Sequence, residues 1–364
     1  MIMRPLVIGN KTARIPIIQG GMGVGVSRSK LAGAVAAAGG VGIISSAQIG
    51  FDEEDFLTNH QMANLRSLKK HIRLAKEQAD GGLVGVNVMT ALKDYEEHVR
   101  ASVEAGADVV ICGAGLPANL PSLVAGSDTK FAPIVSSQKA ATVLLKRWDK
   151  KYQTTADFLV IEGPKAGGHL GFSKEELQKD QADALDYNLE IQKIIETVKE
   201  YEIKYHKEIP VIVAGGIFDA ADIRHALELG ADGVQIASRF VVTEECDAAP
   251  EYKQAYLDAT LEDIRIIQSP VGMPGRAIHN DFLDRAEAHA CTIPRCLGCL
   301  AKCNPSQIPY CITDALIQAV KGNTRDGLLF CGENVSRLHE MTTVPALMTE
   351  LQAGFCTESQ KVGA

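Results

Sequence analysis

His169 follows Ala166-Gly167-Gly168, so no bulky neighbour in the chain shields its imidazole. An imidazole in that setting can move a proton near neutral pH or hold a charge beside a ligand. Glu162 closes the apolar run DFLVIE (157–162) just upstream, where its carboxylate can accept hydrogen bonds from hydroxyl groups or pair with Lys165. Other apolar runs end in small residues: Gln19-Gly20-Gly21-Met22, Ala214-Gly215-Gly216, and Gln235-Ile236-Ala237-Ser238. Glycine pairs let a phosphate approach backbone N–H groups closely, and the Ser238 hydroxyl adds a donor.

A second constellation is made of thiols. Cys296, Cys299, Cys303 and Cys311 follow the pattern C-x2-C-x3-C-x7-C. Four thiolates close a tetrahedral zinc site or hold a [4Fe–4S] cluster. Zinc fingers usually show two separated C-x-x-C pairs, and one is present here, which puts iron–sulfur ahead of zinc. Cys291 and Cys331 are alternative ligands, and Cys112 and Cys246 read as core or surface thiols. The nine cysteines are an odd count and no secretion signal precedes them, which speaks against a disulfide framework.

The elements that must position these groups are legible. Eight short runs rich in Val and Ile fall at 15–19, 41–45, 83–88, 108–111, 133–136, 157–162, 209–214 and 233–237. Each is apolar throughout, as strands of a parallel sheet buried on both faces are. Helical segments follow seven of them, at 30–38, 52–79, 91–105, 117–125, 139–150, 185–206 and 220–229. That alternation predicts a TIM (β/α)8 barrel, whose working groups sit at the C-terminal strand ends. An open doubly wound sheet would need a phosphate fingerprint after its first strand. GGMGVG (20–25) fails G-x-G-x-x-G because Val26 takes the last place, and no P-loop motif occurs.

Glycines after the seventh and eighth strands are where barrels commonly bind phosphate. With further glycine pairs at strand ends one and six, they favour a flat, phosphate-bearing ligand. FMN fits, its phosphate at Gly215, Gly216 and Ser238 and its ring over Gly21, Met22 and Gly168.

After residue 243 the βα rhythm stops. The expected organisation is a barrel over 1–243, a small Cys-rich lobe over 244–335 holding seven cysteines, and a terminal helical segment over 336–364 that packs back on the barrel. Within the lobe, Arg276 and His279 read as a loop that shapes a substrate channel or binds a carrier phosphate. The chain has 364 residues and a net charge of −8, which ranks nucleic-acid binding low. No apolar run approaches the ~20 residues of a membrane span, so a cytoplasmic enzyme is expected.

Four ordered segments carry a resemblance: IPIIQGGMGVGVS, EGPKAGGHLGF, IPVIVAGGI and GADGVQIASRF. Together they resemble the nitronate monooxygenase (2-nitropropane dioxygenase) family, related to the FMN-dependent enoyl-acyl carrier protein reductases. The resemblance covers residues 15–243. SPVGMPGRAIHN (269–280) is similar to the segment that follows in the reductase branch. It implies FMN bound without a covalent link and His169 as the catalytic histidine. It also implies phosphate contacts from Gly215, Gly216, Ala237 and Ser238, and a flavin or ribityl contact from Asn87. Gly20, Gly167 and Gln235 complete the expected cofactor set, with Glu162 on the ribityl chain. The implied activity is oxidation of alkyl nitronates with O2. The alternative is NAD(P)H-dependent reduction of an enoyl thioester, which Gln19-Gly20-Gly21-Met22 resembles more closely. The expected partners are a small-molecule substrate, an acyl carrier protein in the reductase reading, and a second copy of the chain.

Overall fold

The computed structural model describes residues 3–181, 186–293 and 295–355. Eight parallel strands close a barrel in chain order. They are β1 (Ile17–Gln19), β2 (Val41–Ser45), β3 (Leu83–Met89), β4 (Val109–Gly113), β5 (Lys130–Val135), β6 (Leu159–Glu162), β7 (Val211–Ala214) and β8 (Gly233–Ile236). The ring closes between β8 and β1 with Val234 opposite Ile17, Gln235 opposite Ile18 and Ile236 opposite Gln19.

The unbroken apolar runs follow from this closure. Ile18, Ile43, Ile111, Val160 and Ile212 fill the barrel interior. Their neighbours Ile17, Ile44, Val110, Ile161 and Val213 point outward into the layer beneath the helices. With a period of two and both faces buried, every position is apolar. A feature absent from the sequence reading closes the other end of the barrel. The hairpin Leu6–Ile8 with Lys11–Ala13 puts Leu6, Ile8 and Ala13 into the interior cluster. Its strands of three residues are too short to carry a periodicity.

Helices follow the first seven strands, with one shift. The segment expected as helical from residue 52 runs in turns through residue 59, and the helix is His60–Gln78. Asp52, Asp55, Thr58 and Asn59 compete for backbone hydrogen bonds and favour turns, as in the Thr58 hydroxyl donating to the Asp55 carbonyl at 3.1 Å. The helix expected from residue 185 is Tyr187–Tyr205, and residue 185 lies outside the described residues.

The helix Val344–Gln352 buries Val344, Leu347, Met348 and Leu351 in the same layer as the barrel's outer strand faces. Its Glu350 pairs with Arg239, just past β8, at 2.7 Å. Residues 356–364, including Cys356, lie outside the described residues.

Between β8 and that helix the chain forms a second cluster around Phe282, Leu283, Tyr310, Ile312 and Leu328. Its antiparallel sheet joins Ile264–Gln268 to Pro274–Ile278, and the third strand is Gly168–His169 from the loop after β6. Gly275 stands opposite His169 and Arg276 opposite Gly168. This segment therefore holds the histidine loop through backbone hydrogen bonding.

Candidate active site

A cavity of about 220 Å³ opens at the C-terminal ends of the strands. One water needs roughly 10–15 Å³ by the same measure, so the space suits a ligand. His169 and every expected cofactor residue line it: Gly20, Gly21, Met22, Asn87, Glu162, Gly167, Gly168, Gly215, Gly216, Gln235, Ala237 and Ser238. The four clustered cysteines do not line it.

The floor of the cavity is backbone. A Cβ on Gly21 would run into the Asn87 side chain and stand 3.0 Å from Ile43. Gly215 and Gly216 have φ of +90° and +84°, which L side chains rarely adopt. A Cβ on Gly215 would lie 2.9 Å from the Gly163 carbonyl and 3.0 Å from the Ala166 nitrogen. Among the described residues, the N–H groups of Gly215, Gly216 and Ser238 have no protein acceptor. The Ser238 oxygen accepts the Gly332 N–H at 3.1 Å, which leaves its hydroxyl proton free to donate.

Four polar side chains line the cavity with no protein partner among the described residues: Ser45, Asn87, Glu162 and Gln235. Burial pushes the Glu162 carboxyl up to about 8, so it is largely protonated at neutral pH. Its backbone carbonyl is fixed by the Tyr187 hydroxyl at 3.0 Å. Lys165 is not its partner. The Lys165 ammonium stands 3.9 Å from Glu333, a weak contact between partly exposed groups.

His169 stands under the sheet that it joins. Its Nε2 lies 2.8 Å from the Ser269 hydroxyl, and its ring meets Phe330 edge-on with centroids 4.9 Å apart. Burial lowers its pKa to about 4, so the imidazole is neutral at physiological pH. The Ser269 oxygen accepts the Val271 N–H at 3.3 Å, which ties the pair to the tight turn between the two long strands of that sheet.

The roof comes from Tyr252, Tyr256, Leu316 and the stretch Phe330–Asn334, of which the sequence singles out only Cys331, as an alternative metal ligand. Asn334 donates to the Gly216 carbonyl at 2.8 Å, so roof and floor touch beside the glycine pair. No strand end or glycine pair marks these residues. Arg276 corrects an expectation. It is 2% exposed on a strand and donates to the carbonyls of Pro164, at 2.9 Å, and Ala166. Its charge serves to hold the loop after β6, with Glu333 at 3.4 Å. His279 pairs with Asp284 at 2.7 Å, away from the cavity.

Cys331 is buried in the cavity wall, and Cys112 and Cys246 are buried, with burial pushing all three thiols up to about 12. Among the described residues, no group of three or more His, Cys, Asp or Glu side chains is placed to hold a single metal ion. Nor, among them, is any helix long and apolar enough to cross a membrane.

The family model described as nitronate monooxygenase matches residues 4–354. A probable nitronate monooxygenase of Bacillus subtilis is 24% identical over 388 aligned positions, covering 95% of this chain and 96% of that protein. A (3aS,4S,5R,7aS)-5-hydroxy-7a-methyl-1-oxo-octahydro-1H-indene-4-carboxyl-CoA dehydrogenase of Mycobacterium tuberculosis is 26% identical over 273 residues, 75% of this chain. That match spans only 65% of the dehydrogenase's own length. Among solved structures, FabK from Thermotoga maritima has a TM-score of 0.69 at 24% identity, over 93% of this chain and 92% of that one. Nitroalkane oxidase from Streptomyces ansochromogenes has a TM-score of 0.70 at 20% identity, over 97% and 98%. These two likenesses concern the fold. The match from residue 4 to residue 354 spans both the barrel and the segment that roofs its cavity, and on that ground the chain belongs to the nitronate monooxygenase family, a family of oxidoreductases.

Proposed function

We propose that this chain is an FMN-dependent oxidoreductase that oxidises alkyl nitronates with O2. One observation carries the reading: a strand-end cavity in which unpaired N–H groups, unpaired polar side chains and a neutral imidazole face the same space. The residues fit FMN. The N–H groups of Gly215, Gly216 and Ser238, with the Ser238 hydroxyl, would hold the phosphate. Asn87, Glu162 and Gln235 would meet the ribityl chain and ring edge, and Gly21 leaves room for a planar ring. A protonated Glu162 can donate a hydrogen bond without setting a negative charge beside the ring.

FMN, when bound, supplies the acceptance of substrate electrons and their transfer to oxygen. The protein's own part is binding and orientation. The Ser269 oxygen accepts the Val271 N–H and stands 2.8 Å from His169 Nε2, and in this reading its hydroxyl proton is given to Nε2. The imidazole proton then sits on Nδ1, where it can hydrogen-bond an anionic nitro oxygen. Removal of the α-proton from a neutral nitroalkane would need the other tautomer, with Nε2–H donating to Ser269 and Nδ1 free to accept. Met22, Met89, Ile134 and Leu316 provide apolar wall for an alkyl chain, and Phe330 screens the histidine from water. In this reading the segment over 244–335 is a roof lobe on a cytoplasmic barrel enzyme.

A second reading rests on Gln19-Gly20-Gly21-Met22 and the segment 269–280, which resemble the enoyl reductase branch. In it the same cavity takes an enoyl thioester and NAD(P)H reduces the flavin. Anaerobic visible spectroscopy separates the two. The expected result is about one FMN per chain, loss of its absorbance with an alkyl nitronate, and oxygen uptake that His169→Asn lowers by ~10²–10⁴-fold with FMN retained. Absence of flavin sinks the cofactor assignment. Bleaching by NAD(P)H with nitronate inert replaces the first reading by the second.

A further inference from the structure

The chain between the helices Asp281–Glu287 and Ile312–Val320 contains no helix or strand among its described residues. Structureless stretches longer than ~12–15 residues are uncommon in compact domains and usually serve a function. This stretch also brings little apolar surface to the core. Only Cys291, Leu300 and Tyr310 join the neighbouring cluster. Something other than apolar burial must order it.

Its cysteines sit where the backbone is pinned. Lys93 donates its N–H to the Cys299 carbonyl, and Ala301 donates to the Ala91 carbonyl, both at 3.0 Å. The residues flanking Leu300 are thereby clamped to the loop after β3. Cys311 is the N-cap residue of the helix Ile312–Val320.

The sulfurs collect donors from outside their own set. The Gly298 N–H donates to Cys296 Sγ at 3.3 Å, from a glycine with φ of +64°. The Thr313 hydroxyl donates to Cys299 Sγ at 3.0 Å. The helix start that Cys311 caps thus also supplies the donor to Cys299. Hydrogen bonds of this kind stabilise negative sulfur.

The thiols also share one neighbourhood. Cys303 lies within electrostatic reach of Cys296 and Cys311, and Cys299 within reach of Cys303 and Cys311. The spacing favours one of the two candidate groups: a single C-x-x-C pair followed by two more widely spaced cysteines, in place of the two separated pairs usual for zinc, suits a [4Fe–4S] cluster.

We propose that Cys296, Cys299, Cys303 and Cys311 bind a [4Fe–4S] cluster. Its seat adjoins the cavity on two sides. Leu316 of the helix that Cys311 caps lines the cavity, as does Met89 at the end of β3. Cys311 precedes Leu316 by five positions, roughly 7.5 Å of helical rise. Cys296, by contrast, is exposed. The site thus lies between solvent and the cavity.

The test is anaerobic reconstitution of the full chain with ferrous iron and sulfide, followed by metal and sulfide analysis. About four irons and four labile sulfides per chain are expected, with an electron paramagnetic resonance signal after dithionite reduction. Cys303→Ser and Cys311→Ser should each lose the signal and most of the iron, and Cys291→Ser should keep both. Circular dichroism shows whether each variant is folded. Should a Cys303 or Cys311 variant unfold, the wild-type stoichiometry decides alone. The proposal is overturned if the wild type takes up no labile sulfide, if it binds one zinc instead, or if a folded Cys303→Ser protein keeps the full complement. Flavin released by denaturation is counted separately, so this site and the FMN reading fail independently.

Discussion

The floor and the roof of the cavity are built by different means. The floor consists of strand ends held by the barrel's own ladder, and it offers a ligand backbone N–H groups and the absence of side chains. Gly21, Gly215 and Gly216 are there because of what a Cβ would strike or what φ it would have to adopt. The roof consists of residues from 252–334 that reach back over the barrel, and it offers side chains: the Ser269 hydroxyl on His169, the Phe330 ring, the Asn334 amide. A floor of backbone cannot be retuned by one substitution without steric damage. A roof of side chains can. Binding the common part of a ligand and choosing its variable part are thus separated in space.

Three substitutions would break or sharpen that division. The largest effect is expected from Gly215→Ala, which forces a Cβ onto a left-handed backbone, 2.9 Å from the Gly163 carbonyl. Backbone strain of this kind costs about 1–3 kcal/mol, before any lost phosphate contact. Flavin affinity measured by fluorescence quenching should fall at least ~100-fold, given about 1.5–3 kcal/mol for a hydrogen bond to a charged group. If FMN binds Gly215→Ala as it binds the wild type, the floor does not carry the phosphate.

A smaller effect is expected from Ser269→Ala in the roof. Its loss leaves His169 Nε2 without its hydroxyl partner. Turnover should fall about tenfold, the equivalent of one neutral hydrogen bond of ~1.4 kcal/mol, with flavin affinity unchanged. Its pH–rate profile should also shift, because the tautomer is no longer imposed. Unchanged turnover together with an unchanged profile would remove Ser269 from the site's machinery.

The smallest effect is a pH dependence of stability at Glu162. Its folded pKa of about 8 lies above the ordinary carboxyl value of 4.5. Between those values the folded chain holds a proton that the unfolded chain has released. Rising pH therefore favours unfolding across that window. Glu162→Gln removes the term. In the flavin-free protein, the melting temperature of the wild type should drop relative to Glu162→Gln by a few degrees, on the order of 2–4 °C per kcal/mol, as pH rises from 5 to 8. Parallel melting curves across that range would show that Glu162 is ionised in the folded chain.

The barrel was legible because each strand is a local statement. Val211–Ala214 carries its apolar run, its small end residue and its following helix Ala220–Glu228 within a short stretch of sequence. The floor shared that legibility, since strand ends, glycines and His169 lie within a few residues of one another. The roof did not. Phe330 and Tyr256 have no strand-end context, and Tyr256 declares itself only by donating its hydroxyl to the Phe330 carbonyl across the fold. Arg276 read as a loop cation because nothing near it in sequence shows that the carbonyls of Pro164 and Ala166 will take its donors.

The sequence by itself determined the barrel, the order of its strands, the glycine floor and the spacing of the thiols, since hydrophobic period and glycine geometry act over a few residues. Tertiary structure alone decided that Gly168–His169 becomes the third strand of another sheet, that Ser269 meets the imidazole, and that Glu162 and His169 are both neutral near pH 7. Desolvation depends on what covers a group, and the cover over this cavity arrives from residues up to about 170 positions away.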